Sequence, residues 1–192
     1  MTLPARVTEA QQRAVEAGFG FSSEPEVGAL LSCLAASVPV QGRILELGTG
    51  AGCGLAWLVH GLGYRTDVEI VTVDADRTLQ DHTRSTPWPD DVRFELGDGA
   101  TIVPALGTFD LIFADAPGGK TTGLERTIDA LRSGGIVVVD DMDVTRHSGA
   151  GLLNALALVR DRLLGDRRLV CAELAFSSGV IVAVRRRDNG EG

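Results

Sequence analysis

The stretch Ile44-Leu45-Glu46-Leu47-Gly48-Thr49-Gly50-Ala51-Gly52-Cys53-Gly54 constrains this chain more than any other. A short apolar run carrying one acid ends at Leu47. Four glycines then alternate with other residues, and Leu55-Ala56-Trp57-Leu58-Val59 resumes an apolar helical pattern. That order predicts a buried strand, a tight turn and a helix whose N-terminus opens onto a ligand. Glycine permits positive φ and lets a ligand approach the main chain closely. The first N–H groups of the helix have no partner within it and can meet a ligand there. A nucleotide-type cofactor is the natural occupant.

The dinucleotide pattern G-x-G-x-x-G needs glycine at its first, third and sixth places. Counted from Gly48 the sixth place is Cys53, and counted from Gly50 it is Leu55, so both registers fail. No Gly-Lys-Ser/Thr directly follows these glycines, so the loop is not a P-loop. What stands here is acid-x-Gly-x-Gly-x-Gly, from Glu46 to Gly52. It resembles motif I of the class I S-adenosylmethionine-dependent methyltransferases. The resemblance implies S-adenosylmethionine as cofactor, with its charged amine and sulfonium suited to an acid beside the loop. An ordinary glycine-rich turn between strand and helix is the alternative.

At 192 residues the chain has the length of a single domain with a core of useful size. A hydrophobic fraction of 44% and a charged fraction of 23% are those of a globular protein. The net charge of −8 argues against nucleic acid or an anionic membrane as partner. Cys33, Cys53 and Cys171 are scattered, odd in number and without a C-x-x-C, which predicts reduced thiols, a cytoplasmic location and no zinc site. No signal peptide opens the sequence and no apolar run is long enough to span a bilayer.

Three parts are expected: a helical segment over 1–21, a cofactor-binding domain over 22–187 and a disordered tail over 188–192. A polar helix is predicted over about 6–17, broken by Gly18-Phe19-Gly20-Phe21. Pro25 marks the start of a second helix that Pro39 stops. From Arg43 onward strands near 43–47, 69–73, 92–96, 109–114 and 135–139 alternate with helices near 51–62, 76–84, 100–106 and 123–132. Continuously apolar strands in βαβ order predict a parallel sheet covered on both faces. After a long helix near 149–164, the runs 168–176 and 180–186 flank Ser177-Ser178-Gly179, an antiparallel hairpin. The sum matches the fold of the class I methyltransferases: Rossmann-like α/β, with a seven-stranded mostly parallel sheet, helices on both faces and a C-terminal antiparallel hairpin.

Ligands of open parallel sheets bind beyond the carboxyl ends of the strands. Strand two ends at Asp74-Ala75, where an acid would accept hydrogen bonds from two ribose hydroxyls; Asp76 better fits a helix cap. Strand three ends at Gly97-Asp98-Gly99, which resembles the family's adenine-contacting segment and also suits a helix cap. Strand four ends at Asp115 and strand five at Asp140-Asp141. Carboxylates converging there raise one another's pKa unless a cation is present, and magnesium or calcium suits an all-oxygen set. Alternatively Asp115 serves only the cofactor, and Asp140 and Asp141 cap a loop.

Over residues 22–186 the chain is similar to the metal-dependent catechol and caffeoyl-CoA O-methyltransferases. Ser23 to Gly28 matches the Ser-x-x-x-x-Gly entering the first core helix, and Leu45–Gly50 reads Leu-Glu-Leu-Gly-Thr-Gly. The resemblance implies Mg2+ bound by Asp115, Asp140 and Asp141, and methylation of a catechol-like or vicinal-diol hydroxyl. It also implies cofactor contacts from Ser23, Glu46, Gly48, Thr49, Gly50, Gly52, Asp74, Ala75, Asp98, Gly99 and Asp115. A homodimer is expected from the same source. Three departures stand out: Asp141 replaces the family's asparagine, Gly118 occupies the place of its lysine, and Cys53-Gly54 lacks its serine hydroxyl. Lys120 is then the candidate base beside Asp115, with His147 as a second candidate. A metal-independent methyltransferase and a cofactor-binding protein without activity are the rival expectations.

Overall fold

The computed structural model describes residues 3–187; the tail expected at 188–192 lies outside the described residues. Two helices open the chain, α1 (Ala5–Glu16) and α2 (Pro25–Ser37). Pro25 stands in the first turn of α2, where its missing N–H costs nothing, and Val38 leaves the helix in an extended conformation before Pro39. Strands β1 (Arg43–Leu47), β2 (Glu69–Asp74), β3 (Val92–Leu96), β4 (Phe109–Ala114) and β5 (Leu131–Val139) follow. Between them lie α3 (Cys53–Leu62), α4 (Arg77–Arg84), α5 (Gly99–Leu106), the short α6 (Pro117–Lys120) and α7 (Leu124–Asp129). A 3₁₀ turn (Val144–Arg146), α8 (Ala150–Gly165), β6 (Leu169–Leu174) and β7 (Val180–Arg185) complete it.

The seven strands form one sheet in the order β3-β2-β1-β4-β5-β7-β6. Pairings from β3 through β5 are parallel, and β7 runs antiparallel to both β5 and β6. Period-two alternation sends neighbouring residues of each central strand to opposite faces, and both faces are covered. Ile44, Ile70, Leu111 and Phe113 pack with α1, α2 and α3 through Val7, Val27, Leu31 and Leu58. Leu45, Val71, Ile112 and Ala114 pack on the other side with Val103, Ile128, Val159 and Leu163. Full burial of each valine, leucine, isoleucine or phenylalanine among them contributes about 1.5–3 kcal/mol, which is why β1 and β4 need no polar face. The helix α1 is seated on the core through Val7 and Ala10.

Strand five begins earlier than the sequence pattern predicts. Leu131 pairs with Phe109, and the register shifts before Ile136 pairs with Leu111. Positive φ at Gly134 accommodates that irregularity, so 131–132 are strand and not the end of α7. From β1 the chain winds outward one way through β2 and β3, and from β4 the other way through β5. The crevice beyond the carboxyl ends of β1 and β4 is therefore the switch point where a ligand is expected.

Candidate active site

The loop after β1 is fixed from three directions before any ligand enters. Gly48 and Thr49 both donate to the Val73 carbonyl at the end of β2, at 2.9 and 3.2 Å. Gly50 N–H donates to Asp74 Oδ2 at 2.8 Å, while Thr83 Oγ1 of α4 donates to the Gly50 carbonyl at 2.8 Å. From α1, Arg13 Nε donates to the Ala51 carbonyl at 3.2 Å, with its guanidinium over the Trp88 ring. Gly50 has φ +51°, and a Cβ there would come within 2.8 Å of the Phe19 ring. That position therefore needs glycine for conformation and for space.

Glu46, expected beside the cofactor amine, is fully buried beneath the loop and lines neither large cavity. Thr72 Oγ1 donates to its Oε2 at 2.5 Å and lies 2.7 Å from Thr49 Oγ1, so Glu46, Thr72 and Thr49 form a buried polar chain. Burial pushes the Glu46 carboxyl up to about 8 against the opposing Thr72 hydrogen bond. Because the folded value exceeds the unfolded one of 4.5, its stabilising contribution is complete below pH 4.5 and is lost as pH rises through about 8. Relative to Glu46→Gln, the wild-type protein is expected to lose about 3 kcal/mol between pH 6 and 9, from 1.36 kcal/mol per pKa unit. Thermal melts of both proteins across that range check this; parallel curves would contradict it.

A trough runs over the strand ends on the other side of the loop. Its outer part, a cavity of about 270 Å³, is bounded by Gly48, Asp74, Ala75, Asp98, Gly99 and Pro117. Asp98 also caps α5, its Oδ1 accepting the Ala100 N–H at 2.9 Å, so both expected roles meet in one side chain. Asp76 caps α4 through Leu79 N–H at 3.1 Å, which leaves Asp74 facing the trough. The inner part, about 420 Å³, shares Gly48 and Asp74 and adds Gly50, Asp115, Lys120 and Asp141. Among the expected cofactor residues, Gly48, Gly50, Asp74, Ala75, Asp98, Gly99 and Asp115 thus border the trough. Thr49 and Gly52 stand behind it, and Ser23 borders a separate cavity of about 130 Å³ with Asp115, Asp140 and Asp141.

The lysine displaced from position 118 still reaches the site. Pro117-Gly118-Gly119-Lys120 forms a single turn, Gly119 packs its backbone on Leu47 at φ +96°, and Thr127 Oγ1 donates to the Gly119 carbonyl at 2.7 Å. Lys120 is 7% exposed and its Nζ donates to the Asp140 carbonyl at 3.0 Å. Burial, then the neighbouring Asp140 carboxylate, push Asp115 well above the ordinary carboxylate range, with the Lys120 ammonium opposing. Burial also raises Asp140, against hydrogen bonds from the Ser178 hydroxyl and the Asp141 N–H. His147 Nε2 lies 2.9 Å from the Asp141 carbonyl and borders the inner cavity.

A divalent cation of the magnesium type needs several oxygen donors aimed at one point. Among the described residues no three acidic, histidine or cysteine side chains are gathered in that way. Asp115, Asp140 and Asp141 border one cavity without converging. Asp140 Oδ1 is already engaged by Ser178 and by the Asp141 N–H, and the Lys120 ammonium is placed among the same carboxylates. As placed, these residues do not fit a divalent cation.

Phe19, Phe21, Leu152 and Leu156 also wall the inner cavity, and sequence reasoning assigned them no role there. The two phenylalanines fall in the break after the first helix, and the leucines in the long helix near 149–164. Alternation of glycine and phenylalanine at 18–21 was the one available signal.

A doubly wound sheet with an acid-held glycine loop and a trough from Asp98 to Lys120 is the architecture of a Rossmann-like methyltransferase. A family profile described as a methyltransferase domain matches residues 45–142. A curated relative from Mycobacterium sp. (strain KMS), provisionally named an O-methyltransferase, is 32% identical over 94% of this chain and 86% of its own length. One from Mycobacterium marinum with the same name is 33% identical over 92% of this chain and 83% of its own. The Streptomyces achromogenes O-methyltransferase TomG, solved in complex with S-adenosylmethionine, superposes with TM-score 0.82 at 22% identity, covering 96% of this chain and 91% of its own. An O-methyltransferase from Bacillus cereus in complex with S-adenosylhomocysteine gives TM-score 0.82 at 22% identity, covering 97% and 93%. The chain belongs to this methyltransferase family. Among the described residues no helix is long and apolar enough to cross a membrane.

Proposed function

We propose that the enzyme transfers the sulfonium methyl of S-adenosylmethionine to a hydroxyl of a small catechol-like or vicinal-diol acceptor. The observation that carries this is that two cavities share the wall of Gly48, Asp74, Ala116 and Pro117: one bounded by Asp74 and Asp98, the other apolar-walled with Asp115 and Lys120 on its border. The trough suits the nucleoside, and the inner cavity suits the methionine end and an acceptor ring. The acceptor oxygen attacks the methyl carbon, the carbon–sulfur bond breaks and the thioether leaves. The Lys120 ammonium holds the developing oxyanion, and Asp115, a carboxylate of raised pKa, takes the hydroxyl proton. Holding both reactants in line supplies much of the rest.

The metal-assisted form, with Asp115, Asp140 and Asp141 as oxygen ligands, requires those side chains to converge. Lys120 among them favours the metal-free form, in which an ammonium supplies the positive charge. Transfer of isotopically labelled methyl to a catechol panel, with EDTA or with added magnesium, separates the two. A labelled methyl ether formed equally well under EDTA is the expected result. Loss of activity under EDTA with recovery on magnesium would restore the metal-assisted form. Cofactor binding without transfer to any hydroxyl would leave a binding protein without this activity. A cytoplasmic setting, suited to the free thiols of Cys33, Cys53 and Cys171, and a homodimer belong to the same proposal; sedimentation tests the latter.

A further inference from the structure

Apolar side chains line the inner cavity from its cofactor end to the surface. Phe19 packs beside Gly50, where the glycine loop passes, and Leu156 is 1% exposed. Phe21 meets Phe19 edge to face, ring centroids 5.7 Å apart and interplanar angle 71°, yet Phe21 is 83% exposed. One helical turn before Leu156, Leu152 is 43% exposed. Two apolar steps toward solvent, half-buried Phe19 to exposed Phe21 and buried Leu156 to exposed Leu152, therefore continue the cavity wall outward.

Charge around the same path is one-sided. Among the residues lining this cavity Lys120 is the one lysine or arginine, and it is buried against the Asp140 carbonyl. Arg146, in the 3₁₀ turn nearby, is paired with Glu24, whose other oxygen accepts the Ser177 hydroxyl. Asp141 adds a carboxylate to the lining, and the whole chain carries −8. An anionic group on the outer part of an acceptor would meet Phe21 and Leu152 with no lysine or arginine free to pair it and with His147 held against the Asp141 carbonyl, so its contact with that hydrocarbon is unfavourable.

We propose that the acceptor is an uncharged or cationic arene bearing a hydroxyl and an apolar substituent that lies along Phe21 and Leu152, and that acceptors with a distal anion, acyl-CoA esters and phosphorylated phenols among them, are rejected. This rests on the hydroxyl-methylation reading above and names its substrate class. Phe21 and Leu152 are the specificity-determining pair. The wall recognises hydrocarbon by area, so affinity grows with each methylene that it covers.

Calorimetric titration of 4-alkylcatechols, from methyl to hexyl, into full-length protein saturated with S-adenosylhomocysteine tests this without requiring turnover. Affinity is expected to rise about two- to fourfold per methylene over the first few carbons. A chain-terminal carboxylate should weaken binding at least about tenfold relative to the neutral compound of equal length. Phe21→Ser with Leu152→Ser should flatten the chain-length series. Affinity independent of chain length in the wild-type protein, equal binding of the carboxylate analogue, or no binding by any member would each overturn the proposal. A steep series with no methyl transfer would sink the hydroxyl-methylation reading while leaving the apolar acceptor path standing.

Discussion

Asp74→Ala is expected to weaken S-adenosylmethionine binding about 100-fold while shifting the melting temperature by only a few degrees. Asp74 ends β2 at the border of both parts of the trough. One oxygen accepts the Gly50 N–H at 2.8 Å and the other the Asp76 N–H at 2.8 Å, so the carboxylate is held in position before the cofactor arrives. A carboxylate has more lone-pair sites than these two bonds use, and ribose hydroxyls are the donors the cofactor brings. Hydrogen bonds to a charged group contribute about 1.5–3 kcal/mol each. Losing two of them, with the glycine loop freed at Gly50, amounts to roughly 3 kcal/mol, or about 100-fold in dissociation constant. Asp74→Asn keeps one acceptor and should lose about tenfold. Calorimetric titration of the cofactor into each variant decides: an Ala variant within threefold of wild type would remove the ribose from Asp74.

Why the glycine-loop side of the trough was legible and the apolar wall was not follows from how far each depends on distant residues. Ile44 to Gly54 encodes strand, turn and helix within eleven consecutive positions, and the outcome depends on local φ preferences and apolar spacing. The places of Asp74 and Asp98 follow from a general rule, that ligands lie beyond the carboxyl ends of parallel strands. The acceptor wall has no such rule. Phe19 and Phe21 arrive from before α2, and Leu152 and Leu156 from α8, more than 130 residues later. Nothing local distinguishes a leucine facing a cavity from one facing the core.

Glu46 lies under the loop for a physical reason that spacing does not carry. Glu46 alternates on β1 in a way that puts its side chain under the glycine loop, where Gly54 leaves room for it: a Cβ at position 54 would lie 2.4 Å from Glu46 Oε1. The acid is therefore a buried strut of the loop, with Thr72 as its hydrogen-bond donor. Asp115, Asp140 and Asp141 did reach neighbouring strand ends, as the topology requires. What the sequence could not show is that the 117–120 turn carries an ammonium into that carboxylate set, because the turn depends on Gly119 resting against Leu47.

Replacing Lys120 with methionine keeps a long unbranched stem and deletes the charge, so it isolates the ammonium's role. Turnover is expected to fall by about 10²–10⁴, the usual range for loss of an acid–base or oxyanion-stabilising group. Cofactor affinity should stay within about threefold, because Nζ bonds the Asp140 carbonyl and not the outer trough. Removing the opposing cation leaves Asp115 with burial, Asp140, Asp141 and Glu46, all of which raise its pKa, so its carboxyl moves further up and is protonated over more of the working range. A protonated Asp115 is a poor proton acceptor, which compounds the loss of the ammonium and shifts the rise in rate toward higher pH. Lys120→Arg restores charge but replaces the point donor to the Asp140 carbonyl with a planar fork, and should recover less than a tenth of wild-type turnover. Lys120 is the only lysine in the sequence, so it carries the one side-chain amine that distinguishes the variants. Single-turnover measurement with labelled cofactor across pH 6–10 checks all of this. A methionine variant within threefold of wild type would take Lys120 out of the chemistry, leaving its ammonium a structural counter-ion of Asp115.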